Sequence, residues 1–199
     1  AAEVAKRLNL MIAYQPIAWD AKDMELDAGT IDCIWNGFTM NGREDDYEWS
    51  KPYMKNNQVF VVRGDSDINS EADLAGKNEE VQTDSSAEAA LNDNSELTST
   101  FGSLTPVADY NTAFMDLESG AVDAIAMDDV VASYQITSRK ADFKVLDDVI
   151  AAEEYGIGFK KGNTGLRDKV QATLEEMAAD GTAAKISEKW FGKDITTIQ

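Results

Sequence analysis

Arg43 closes the stretch Asn36-Gly37-Phe38-Thr39-Met40-Asn41-Gly42-Arg43, and its planar guanidinium can grip a carboxylate through two parallel hydrogen bonds. Thr39 adds a hydroxyl and a backbone N–H, and Gly37 lets backbone approach a ligand closely. A lone arginine in a loop is more often a solvated surface residue, so the stretch alone leaves both readings open. Asp128 follows the apolar run Ile125-Ala126-Met127. Its carboxylate can pair with an ammonium group, or Asp128 or Asp129 can cap a helix running through Val130 and Tyr134. The two roles are compatible, and capping is the commoner. In the segment from Val81 through Gln82 to Glu88, Ser85 and Glu88 fit a helix-capping box. The unpaired N–H groups and positive dipole end of such a helix start, at Ser85 and Ser86, also make a seat for a carboxylate.

Other chemistry lacks its usual parts. The 199 residues include no histidine, which removes the commonest general base and the commonest zinc ligand. A single cysteine, Cys33, leaves no internal disulfide. No catalytic residue, metal site or cofactor is expected. Lysine and arginine number 18 against 37 acidic residues, a net charge of −19. That field repels phosphate backbones and anionic headgroups, so no nucleic-acid partner is expected, and the surface acid otherwise serves solubility. No stretch approaches the roughly 20 apolar residues that span a bilayer. No charged-then-apolar leader opens the sequence, so a targeting segment has been removed or was never there.

These residues need positioning by elements that alternate along the chain. Apolar runs of strand length alternate with amphipathic helical stretches, the pattern of an α/β fold with mostly parallel sheets. Val4, Ala5 and Leu8 line one face of an opening helix; residues 10–14 read as a strand and 20–28 as a helix. Strands are expected at 31–35, 59–63, 122–127 and 155–159, and helices at 166–179 and 182–190 with Gly181 between them. The aromatics Tyr47, Trp49, Tyr53, Trp190 and Phe191 read as packing residues, and Trp35 as core.

One unit occurs twice. Residues 24–37, MELDAGTIDCIWNG, and 115–128, MDLESGAVDAIAMD, align without a gap as helix end, glycine, aliphatic residue, aspartate and short buried strand. The copies lie too far apart for a solenoid and suggest two similar lobes. In open α/β sheets ligands sit beyond the carboxyl ends of strands. The strand ends at 36–39 and 127–128 are therefore expected to face one cleft.

The order of motifs along the whole chain resembles the polar amino-acid solute-binding proteins of ABC transporters, family 3, with the type II periplasmic-binding-protein fold. The resemblance is carried by Gly29-x-Ile31-Asp32, then Gly37-x-Thr39 with Arg43, then Trp49-Ser50-x-Pro52-Tyr53. Asp73-Leu74-x-Gly76-Lys77, Gln82-x-x-Ser85-Ser86-Ala87-Glu88 and Gly120-x-Val122-Asp123-Ala124 follow. Tyr155-Gly156-Ile157-Gly158, Asp180-Gly181-Thr182 and Lys189-Trp190-Phe191-Gly192 complete the order. The resemblance implies binding of a free amino acid outside the cytoplasm and its delivery to a membrane permease by hinge closure, without catalysis. It implies that Arg43 holds the α-carboxylate with help from Thr39 and the Gln82–Ser85–Ser86 helix start. Asp128 would then pair with the α-ammonium beside the carbonyl of Gly37. Lobe one would comprise 1–54 and 156–199 and lobe two 58–152, with hinges near 55–57 and 153–155.

Two departures stand out. The threonine-to-arginine spacing is one residue shorter than in many members. The sequence also starts inside what would be the first helix, so lobe one would lack its first strand and the specificity pocket one wall. With that strand restored, a monomer is expected; without it, an exposed edge invites dimerisation. A sensor domain of a membrane receptor and a dehydratase-like enzyme are the alternatives the same fold allows.

Overall fold

A computed structural model describes residues 1–198. The chain divides into two compact units. The first comprises Ala1–Ile17, Ala21–Lys55 and the chain from Glu153 onward; the second comprises Ala18–Asp20 and Asn56–Ala152.

The first unit contains helices α1 (Ala2–Arg7), α2 (Lys22–Ala28), α7 (Thr164–Ala179) and α8 (Thr182–Phe191). Its strands are β1 (Cys33–Thr39), β2 (Glu48–Trp49) and the end of the long β7 (Phe143–Phe159). β1 and β2 each run antiparallel to β7, with Cys33 and Glu48 both opposite Phe159. Val4, Ile157, Phe159, Val170, Leu174, Met177 and Ala183 form one apolar core. Phe38, Tyr47 and Trp49 form an aromatic cluster with ring centroids 4.8 to 5.1 Å apart. Trp35 is half-buried against Tyr53 at the edge of the core. Trp190 and Phe191, read as packing residues, are instead exposed on α8.

The expected strand at residues 10–14 does not form. Leu10, Met11, Ile12 and Tyr14 are exposed, and among the described residues no strand pairs with this stretch. A strand is defined by a hydrogen-bonded neighbour, and an apolar run without one remains irregular.

The second unit holds β3 (Met54–Arg63, from Asn56), β4 (Asn78–Gln82), β5 (Ser103–Val107), β6 (Ala124–Asp128) and the first part of β7. Helices α3 (Ser86–Asp93), α4 (Ser95–Thr98), α5 (Tyr110–Ser119) and α6 (Asp129–Arg139) accompany them. The strand order here is β7-β3-β6-β4-β5. β4 is parallel to both neighbours, whereas β3 is antiparallel to β6, with Gln58 opposite Asp128 and Val62 opposite Ala124. The sheets are thus mixed rather than mostly parallel. The parallel pairs come from helix crossovers, and the strands that carry the chain between units run against their neighbours. Phe60, Val62, Leu74, Val81 and Leu91 pack on one face of this sheet, and Val61, Phe114, Leu117, Ile125 and Met127 on the other. Residues 18–20 group with this unit rather than the first, held by the Trp19 indole N–H, which donates to the Asp84 carbonyl at 3.1 Å.

Both copies of the repeated unit take the same form. α2 ends at Gly29 with φ 75° and ψ 21°, and α5 ends at Gly120 with φ 80° and ψ 14°. Each glycine leads into a strand of its own unit, β1 and β6.

Candidate functional site

In the first unit the site residues lie where β1 runs out. Gly37 sits in a bulge of the β1–β7 pairing with φ 90°, and a Cβ there would stand 2.9 Å from the Tyr155 ring. Only glycine fits both the left-handed backbone and the close approach. Thr39 is 3% exposed, and its hydroxyl donates to the buried Glu153 carboxylate at 2.8 Å. The turn from Met40 to Arg43 is closed by the Arg43 N–H donating to the Met40 carbonyl, with Gly42 at φ 78°. The Trp49 indole holds the Arg43 carbonyl at 2.9 Å. The guanidinium reaches back to the Thr39 carbonyl at 3.5 Å and lies 5.4 Å from the centre of the Phe38 ring. Arg43 is therefore anchored on Thr39 and the aromatic cluster rather than trailing from a loop.

In the second unit the sites converge on Asp128. Its carboxylate accepts from the side-chain amides of Asn56 at 3.0 Å and Gln58 at 2.9 Å. Gln58 also donates to the Ser86 hydroxyl at 2.9 Å, so one side chain joins the end of β6 to the start of α3. Asp128 occupies the N-cap position of α6 but makes no side-chain cap bond. The Val130 N–H donates instead to the Asn56 side-chain oxygen at 3.4 Å. The capping expected of Asp128 is thus taken over by Asn56. Its amide donors orient the carboxylate while its oxygen serves the helix.

At the start of α3 the Ser85 hydroxyl accepts from the Glu88 N–H at 3.1 Å. Glu88 returns to the Asp84 N–H at 2.6 Å, one residue earlier than a capping box requires. Asp84 has φ 59°, which turns the chain sharply into the helix. The Gln82 amide donates to the Ala108 carbonyl at 3.2 Å. Asn56, Gln58, Glu153 and Trp19 were not singled out in the sequence. A signal for two of them was present: Asn56 and Gln58 are amides set directly before the apolar run 59–62.

The described residues include no group of histidine, cysteine, aspartate or glutamate that could hold a metal ion. What the two units offer is hydrogen bonding and charge: a fixed guanidinium beside Thr39 in the first, and a fixed carboxylate beside the Ser85–Ser86 helix start in the second.

The family of bacterial extracellular solute-binding proteins, family 3, matches residues 1–193. The L-cystine-binding protein TcyA of Bacillus subtilis is 32% identical over 197 residues, covering 98% of this chain and 71% of the relative. The L-cystine-binding protein TcyJ of Escherichia coli K12 is 31% identical over 199 residues, covering 98% and 73%. A solved substrate-binding protein of an ABC uptake transporter from Streptococcus pneumoniae, with bound histidine, superposes with a TM-score of 0.92 at 32% identity. It covers 98% of this chain and 81% of that structure. The relatives are binding proteins rather than enzymes, and no described helix is long and apolar enough to cross a membrane. The chain belongs to the bacterial extracellular solute-binding proteins, family 3.

Proposed function

We propose that this chain binds a free amino acid outside the cytoplasm, as a periplasmic or surface-held protein, and presents it to the permease of an ABC importer. Arg43 and Thr39 of the first unit, with the Ser85–Ser86 start of α3, receive the α-carboxylate. Asp128 receives the α-ammonium together with the Gly37 carbonyl. Gln82 adds its amide at the same turn, where one N–H also serves the Ala108 carbonyl. Ligand contact with both units favours a closed arrangement, and the chain passages at Lys55–Asn56 and Ala152–Glu153 serve as hinges.

The observation that carries this reading is Asp128. A helix-capping position whose carboxylate is instead held by two amides is built to present negative charge. Relatives are named for cystine, and solved neighbours hold histidine, arginine or glutamine. These ligands differ in side chain and share the α-ammonium and α-carboxylate, the groups that Asp128 and Arg43 complement.

A thermal-shift screen against the twenty amino acids and cystine tests it, with Arg43→Ala and Asp128→Ala beside the parent. A ligand at a hundred times its dissociation constant stabilises by about 2.7 kcal/mol, a shift of a few degrees at this size. The expected result is a shift with one chemical class that is lost in both variants. A shift that survives both substitutions would sink the assignment.

A further inference from the structure

β4 is the central parallel strand of the second unit, covered on both faces, and such strands read as apolar runs. Here its interior is Glu79-Glu80-Val81. Glu79 is fully buried, and neither of its carboxyl oxygens finds a hydrogen-bond partner among the described residues. Glu80, also buried, points to the opposite face toward Asp116 of α5, and one of its carboxyl oxygens finds no hydrogen-bond partner among the described residues.

The surroundings supply little to keep these groups ionised. Asp123, just before β6, is close enough for its charge to act on Glu79, and its carboxylate is already engaged by the Asn78 N–H at 3.0 Å. The Arg63 guanidinium of β3 stands 4.0 Å from Asp123 and donates to the carbonyls of Leu117 and Val122. Of the elements packed on β4, β5 carries no charged residue. α5 carries Asp116 and Glu118, α3 carries Glu88 and Asp93, and β6 ends in Asp128. Every charged side chain on those elements is acidic.

We propose that β4 is a proton-dependent clamp on the second unit: with the buried Glu79 and Glu80 protonated the unit is held together, and their ionisation loosens it. Burial, and then the Asp123 charge, push the Glu79 carboxyl up from 4.5 to about 8. Burial and Asp116 push Glu80 in the same direction. Between those limits the native chain keeps a proton that the unfolded chain has released, so stability falls as pH rises. No imidazole titrates in that window, since the chain has no histidine. β4 leads directly into Ser85 and Ser86, so loosening begins next to the Gln58–Ser86 link.

Urea unfolding of the chain between pH 5 and 9, beside Glu79→Gln and Glu79→Val, tests the clamp without any ligand and independently of what the protein binds. For the one proton that Glu79 retains, the unfolding constant of the parent rises about tenfold per pH unit from about pH 5 to about pH 8 and then levels. Both variants lose that part of the slope, and Glu79→Val, which restores the apolar strand pattern, folds even if the glutamine variant does not. A parent whose unfolding constant stays flat over this window, or a folded variant that keeps the parent's slope, overturns the proposal.

Discussion

At the scale of single residues, the second unit's site depends on side chains that do two jobs. Asn56 both orients Asp128 and caps α6 through its oxygen. Asn56→Asp keeps an acceptor for the Val130 N–H but sets a second carboxylate where a donor stood 3.0 Å from Asp128. Like charges at that range raise one carboxyl's pKa, so the variant's native state holds a proton that its unfolded state releases. Melts of the variant should therefore weaken relative to the parent on going from pH 4 to pH 7, and equal loss at both pH values would refute the charge argument. Gly37 makes the corresponding prediction in the first unit. Alanine there meets a left-handed backbone and the Tyr155 ring together, and such strain costs about 1–3 kcal/mol. A urea midpoint within error of the parent would show that the bulge can relax.

At the scale of elements, the repeated helix–glycine–strand unit permits a sharper comparison. Gly29 and Gly120 hold nearly the same left-handed conformation. An added Cβ meets nothing at Gly29, and at Gly120 it meets only the Arg63 side chain at 3.9 Å. Alanine should then cost only the backbone term, about 1–2 kcal/mol, and similarly at both sites. Because the two positions share no partner, the double variant should lose the sum, read from denaturant midpoints at unchanged slope. A double variant well below the sum would mean that the positions are coupled. This unit was legible in the sequence because glycine ends a helix for a reason visible in one residue. The Arg43 anchor and the Asp128 carboxylate were legible as types at strand ends. What held them was not legible, because Glu153, Gln58 and Asn56 reach the site through pairings of strands far apart in sequence. The Gln58–Asp128 bond exists because β3 and β6 set those two residues opposite each other. Residues 10–14 failed in the opposite sense: their pattern is strand-like, but a pattern does not supply a neighbour.

At the scale of the whole molecule, charge outweighs the individual ion pairs. Pairing every one of the 18 cations with an acid would still leave 37 − 18 = 19 carboxylates uncompensated. Pairs such as Lys51–Glu175 at 2.7 Å and Arg7–Asp180 at 2.8 Å are exposed or partly exposed, and surface pairs of this kind contribute little. Their partners' carboxyls are nonetheless held down, that of Asp180 to about 2 by Thr182 and Arg7. Salt acts on both terms, weakening these few attractions and the many repulsions alike. The repulsions are more numerous and longer in range, so screening should favour the folded chain on balance. The Debye length falls from about 30 Å at 0.01 M to about 8 Å at 0.15 M, so long-range repulsion is progressively cut off. Raising sodium chloride over that range at pH 7 should therefore raise the melting temperature, while sucrose at matched osmolality should not reproduce the salt's steep onset. A melting temperature that falls with salt would mean that the native pairs outweigh the excess of acid, and that the acids are spread widely enough to cost the fold little.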